Sequence, residues 1–129
     1  MNVLIAEDNH LNQQLMALFM KRFGWRYTIV SDGFGAVDAC RSGVFDIILM
    51  DIDMPGMDGI EATSCIRMFD RTIPVVAVTA FTDEITRGRC YEAGMDRFLS
   101  KPISKEQIIA VVSELIPAEF TENKEVRVA

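Results

Sequence analysis

The run Ile47-Ile48-Leu49-Met50, followed at once by Asp51-Ile52-Asp53-Met54-Pro55-Gly56-Met57-Asp58-Gly59, decides the fold. A short apolar run bounded by a Pro/Gly turn predicts a strand buried on both faces, as in parallel sheets covered by helices. Met50 is the last side chain the interior can take. Asp51 therefore stands where the strand leaves the sheet, and at that edge of an open parallel sheet ligands bind.

Working outward, residues 3–6 form another continuous apolar strand, closed by Glu7-Asp8. Asn9 caps a helix that runs to about Phe23 and stops at Gly24. Its sheet-facing stripe is expected at Leu15, Phe19 and Phe23 with Met16 and Met20 beside them, leaving Leu11 and Leu18 off centre. Residues 27–30 alternate and predict an edge strand, and Ser31-Asp32-Gly33 opens a helix ending near Gly43. Beyond the central strand, Asp58 and Glu61 have the capping-box spacing for a helix to about Phe69. Pro74 introduces the buried strand 75–78, which ends at Thr79-Ala80. Thr82 is the expected cap of a helix that stops at Gly94 and is weakened by Gly88. Residues 97–100 predict the last strand, ended by Lys101-Pro102. Ser104 and Gln107 form a second capping box, for a helix ended by Pro117. Residues 118–129 are polar and aperiodic, and predict a tail or the start of a linker.

Strands alternating with helices, without internal repeats, predict an α/β, doubly wound, five-stranded parallel sheet flanked by five helices. The expected strand order is 2-1-3-4-5, one of the common doubly wound orders. One domain of 129 residues can bury a core of useful size. A net charge of −6 argues against a direct nucleic-acid partner, because phosphate binding needs a basic surface. No apolar run is long enough to span a bilayer, and the acidic N-terminus lacks the basic n-region of a signal peptide, so a cytoplasmic location is expected. The three cysteines, Cys40, Cys65 and Cys90, have no metal-ligand spacing and predict buried reduced thiols.

The polar residues that follow the strands make one set: Glu7 and Asp8, Asp51, Thr79 and Lys101. A parallel sheet gathers them on one edge, with Asp8 and Asp51 facing each other across the crevice between strands one and three. Each alone reads as a cap, a turn or dipole compensation; coincidence at four strand ends is a poor account of the set. Several carboxylates in a crevice repel unless a proton or a divalent cation intervenes, and two carboxylates with a backbone carbonyl and waters suit Mg²⁺. A carboxylate can also act as nucleophile towards phosphorus, with the Lys101 ammonium and the Thr79 hydroxyl balancing charge on the transferring oxygens.

These residues carry a family resemblance. Over about residues 2–117 the chain resembles the receiver (phosphoacceptor) domain of two-component response regulators, a flavodoxin-like fold. The matching segments are Val3-Leu4-Ile5-Ala6-Glu7-Asp8-Asn9, Met50 to Gly59, Val78-Thr79-Ala80 and Phe98-Leu99-Ser100-Lys101-Pro102. The resemblance implies a receiver domain over 1–117, with Asp51 taking phosphate from a phosphohistidine. It also implies Mg²⁺ (Mn²⁺ as a substitute) on Asp8, Asp51 and the Asp53 carbonyl, with Glu7 acting through water. Thr79 and Phe98 resemble a switch pair, and Lys101 resembles the phosphate-contacting lysine, joined to Pro102 by a cis bond. The implied partner is a histidine kinase or a histidine phosphotransfer domain, with oligomeric state open and no membrane contact. Glu7-Asp8-Asn9-His10-Leu11-Asn12-Gln13 resembles receivers attached to hybrid histidine kinases more than stand-alone regulators. Leu11, off the buried stripe and next to the acidic pair, is a candidate contact for a four-helix phosphotransfer partner, together with Pro102 and Ile103.

Three other functions compete. Asp51-Ile52-Asp53 resembles the nucleophile motif of haloacid-dehalogenase-type phosphatases, but here the acidic pair precedes it and no cap domain fits. An inactive receiver serving as a docking module would not need Asp8, Asp51, Thr79 and Lys101 together. A flavodoxin-like cofactor protein would not place acid in the loop after strand one, where a flavin phosphate binds.

Overall fold

The computed structural model describes residues 1–81 and 83–120. Its elements are β1 (Asn2–Ala6), α1 (His10–Phe23), β2 (Arg26–Val30), α2 (Gly33–Ser42), β3 (Ile47–Asp51), α3 (Gly59–Arg67), β4 (Val75–Thr79), α4 (Glu84–Ala93), β5 (Arg97–Ser100) and α5 (Lys105–Leu115). All strand pairs are parallel, in the order β2-β1-β3-β4-β5. The central strands β3 and β4 are buried at every position, whereas β2 and β5 are partly exposed, as edges are. Ala6 pairs with Met50, Asp51 with Val78 and Thr79 with Ser100, so the strand ends lie level on one edge.

Alternate strand residues feed two cores. Leu4, Ile48 and Met50 pack against α2 and α3, together with Cys90 of α4, while Ile5, Leu49 and Val76 pack against α1 and α5. Asn9 and Asp32 cap α1 and α2 as expected, and Gly24 takes the left-handed conformation (φ 75°) that ends α1. Asp58 accepts the Glu61 N–H at 2.8 Å. Ser104 and Gln107 make a complete capping box.

The structure corrects several local expectations. The buried face of α1 runs through Met16, Met20 and Phe23, with Leu15 39% exposed, one position round from the expected stripe. Leu11 and Leu18 are exposed, as expected. The cap of α4 is Asp83, whose carboxylate accepts the Thr86 N–H at 2.8 Å. Thr82, the expected cap, lies outside the described residues, as do residues 121–129 of the expected tail; Pro117–Phe120 form a 3-10 turn. Of the cysteines only Cys90 is buried, and Cys40 and Cys65 are half-buried.

Arg67 ties the sheet edge remote from Asp51. Its guanidinium donates to the Gly94 carbonyl at 3.0 and 2.8 Å and pairs with Asp96 at 3.1 Å, and Asp96 accepts the Val75 N–H at 2.9 Å. By contrast α4 buries only Cys90. Gly88 is exposed within it, and a methyl group there would meet nothing within 4 Å. Gly88→Ala is therefore expected to stabilise the protein by about 1 kcal/mol in urea unfolding, because only the helix propensity changes. A loss of stability would show that this position is constrained.

Candidate phosphoryl-transfer site

The end of β3 delivers Asp51 into a polar cleft lined also by Glu7, Asp8, Asp53, Thr79 and Lys101. Lys101 follows β5, and its N–H donates to the Thr79 carbonyl at 2.8 Å, extending the β4–β5 ladder by one step. The Lys101–Pro102 bond is cis. From there the ammonium bridges two carboxylates, Glu7 Oε1 at 2.7 Å and Asp51 Oδ2 at 3.0 Å. Glu7 and Asp51 are each only 4% exposed, whereas Asp8 is exposed.

The loops around these groups are held by their own hydrogen bonds. Asp51 Oδ1 accepts the Asp53 N–H at 3.2 Å, and Glu7 Oε2 accepts the Asn9 N–H at 3.1 Å. Gln13 Nε2 donates to the Glu7 carbonyl at 2.6 Å and to Ser31 Oγ at 3.2 Å, pinning the β1–α1 turn. The sequence alone assigns Gln13 no contact, and its bond to Ser31 joins α1 to the end of β2, 18 residues on. Thr79 is fully buried, and its hydroxyl accepts the Phe81 N–H at 3.0 Å. Phe98 is half-buried on β5, with the Arg87 guanidinium 4.7 Å from its ring centre.

The two carboxylates that share the ammonium shift in opposite directions. Burial opposes charge on Glu7, but bonds from the ammonium and the Asn9 N–H outweigh it and hold that carboxyl below its ordinary value. Burial raises Asp51, and the Glu7 charge adds to it against the pull of Lys101, pushing it up to about 6. The shorter of the two Lys101 bonds, the one to Glu7, agrees with these directions. Burial also opposes charge on Lys101, yet its two acid partners raise its pKa.

Ligand atoms of Glu7, Asp8 and Asp51 all lie within 4.8 Å of one another. Three carboxylates at that spacing suit a hard divalent cation with oxygen ligands. Without metal, the fold favours protonated Asp51 between the ordinary value of 3.8 and about 6. A raised carboxyl pKa makes the folded state bind more protons than the unfolded one, so stability falls as pH rises through that window. A cation on these oxygens competes with the proton. Mg²⁺ is therefore expected to raise the melting temperature more at about pH 7.5 than at about pH 5. Equal shifts at both pH values would contradict the shared site.

Leu11 is 73% exposed and Pro102 is exposed, as expected of contact residues. Ile103, expected beside them, is instead buried in the α1/α5 core because it follows directly on the turn into α5, and it forms only the wall of an apolar cleft with Leu15, Met16 and Pro102.

A family profile described as response regulator receiver domain matches residues 3–113. Sensor protein GacS of Pseudomonas syringae is 37% identical over 115 residues, covering 85% of this chain and 13% of that protein. The chain thus spans about an eighth of that relative's length. The receiver domain of a sensor histidine kinase from Pseudomonas aeruginosa, solved with magnesium in its active-site cleft, superposes with a TM-score of 0.84 at 34% identity, covering 90% of this chain and 97% of that one. The receiver domain of Ssk1 from Saccharomyces cerevisiae, crystallised with the histidine phosphotransfer protein Ypd1, gives 0.86 at 26% identity, covering 95% and 93%. With the acidic trio, the hydroxyl and the ammonium gathered on one edge of a 2-1-3-4-5 sheet, this chain belongs to the response regulator receiver domain family.

Proposed function

We propose that residues 1–117 are a phosphoacceptor domain in which Asp51 takes a phosphoryl group from a phosphohistidine of a histidine kinase or phosphotransfer domain. The observation that carries this reading is the Lys101 ammonium within 3.0 Å of Asp51 and 2.7 Å of Glu7. An Asp51 oxygen forms the new O–P bond as the P–N bond to imidazole breaks, and the leaving imidazole takes up a proton. Lys101 releases its bond to Asp51 and follows the incoming negative charge. The Thr79 hydroxyl, next along the same sheet edge, turns to a second phosphoryl oxygen, and the Phe98 ring follows inward.

Glu7, Asp8, Asp51 and the Asp53 carbonyl would hold Mg²⁺, or Mn²⁺ in its place. The cation supplies charge neutralisation between the carboxylates and the phosphoryl oxygens. The acyl phosphate later loses its phosphate to water, a slow self-limiting step rather than turnover of an external substrate. Leu11 and Pro102, beside the apolar cleft, would meet the partner, with Ile103 acting from behind as cleft wall. Residues 118–129 would begin a linker, and the domain would work in the cytoplasm. Among the described residues no helix is long and apolar enough to cross a membrane.

The test is incubation with a small phosphodonor and Mg²⁺. A single hydroxylamine-labile phosphate per chain supports the reading. Sustained hydrolysis of a phosphomonoester would favour the aspartyl-phosphate phosphatase, and no modification would favour the docking module.

A further inference from the structure

The guanidinium of Arg87, on α4, lies 4.7 Å from the centre of the Phe98 ring on β5, within the range at which a cation is attracted to a ring face. Phe98 pairs in register with Ala77, two residues before Thr79 on the same face of β4. Few other contacts fix this part of the molecule: α4 buries only Cys90 and carries the exposed Gly88 next to Arg87.

We propose that Arg87 is a positioning residue: it holds the Phe98 ring outward against α4 and thereby sets how readily Thr79 swings to the phosphorylation site. This rests on the Thr79/Phe98 switch described above. The contact exists only while the ring lies outward, so it favours the resting arrangement and opposes the inward one. An exposed contact of this kind shifts such an equilibrium by about two- to fivefold. The position of α4 follows from the same contact. When the ring leaves, Arg87 loses its partner and the helix loses one of its few ties to β5.

The experiment compares wild type, Arg87→Ala and Arg87→Lys, each with Phe98 intact and with Phe98→Leu. Two readouts are taken: the side-chain NMR signals of Phe98 before phosphorylation, and the Mg²⁺-dependent labelling rate with a small phosphodonor. Arg87→Ala is expected to shift the ring signals towards those of the phosphorylated protein and to raise the labelling rate about two- to fivefold. Arg87→Lys should restore part of the wild-type behaviour, and both effects should vanish in the Phe98→Leu background. Arg87 is exposed, so these variants are expected to fold. Unchanged ring signals and rate in Arg87→Ala would overturn the proposal, as would an equal rate change without the ring. Wild type that takes no phosphate would instead overturn the phosphoacceptor reading itself.

Discussion

Lys101→Ala is expected to slow Mg²⁺-dependent labelling of Asp51 by about 10²–10³-fold, the usual cost of removing one charge-stabilising donor from a reacting centre. The ammonium is fixed before any phosphoryl group arrives, by Glu7 and Asp51 at its head and by the Lys101 N–H to the Thr79 carbonyl at its root. It therefore stands beside the reacting oxygen from the start and has only to exchange its Asp51 bond for one to the developing charge. The same substitution leaves two buried carboxylates without their cation. A divalent ion then has less competition, so Mg²⁺ affinity should hold or rise while the reaction slows. That split separates loss of charge stabilisation from a collapsed site. Labelling at the wild-type rate would mean that Lys101 is only structural, and loss of Mg²⁺ binding would mean that the cleft itself had failed.

Gly59→Ala is expected to be strongly damaging. A Cβ there would overlap the Asp51 carbonyl oxygen and come within 2.9 Å of the Asp51 carbonyl carbon and the Ile52 Cα. These are backbone atoms, and Gly59 is itself tied to Ile52 by an N–H to carbonyl bond of 3.1 Å. Neither side can give way cheaply, so a destabilisation of about 3 kcal/mol is expected in denaturant unfolding, at the upper end for overpacked sites. Relaxation would move the main chain that aims Asp51, so labelling should fall as well. Wild-type stability would show that the start of α3 can slide away from β3. The contrast with Gly88→Ala, expected to stabilise, separates a glycine required by close backbone approach from one that is merely permitted.

The sequence made the sheet legible because buried parallel strands are written as unbroken apolar runs, and each run here ends in a residue that cannot be buried alone. Hence Glu7, Asp51, Thr79 and Lys101 fall on one edge by sequence alone. Finer features depended on partners distant in the chain. Leu15 and Met16 are both apolar, and only the angle at which α1 lies on the sheet decides that Met16 is buried. Thr82 and Asp83 are adjacent and either could cap α4, so the sequence alone does not choose between them. Gln13 on Ser31, Arg67 on Gly94 and Arg87 over Phe98 carry no local signature, since each contact joins elements that meet only in the folded protein. The bond between Glu7 and Lys101, the shorter of the two the ammonium makes, likewise had no signal in the sequence, because it joins the end of β1 to the end of β5.

The most direct test compares wild type with Asp51→Asn, incubated with a small phosphodonor in the presence of Mg²⁺ and then with a chelator, with the modified residue located by mass spectrometry. Labelling is predicted at Asp51 of the wild type with Mg²⁺, and neither in the variant nor after chelation. Equal labelling of the two proteins, or phosphate found on another residue of the wild type, would contradict the assignment of Asp51 as the phosphoacceptor.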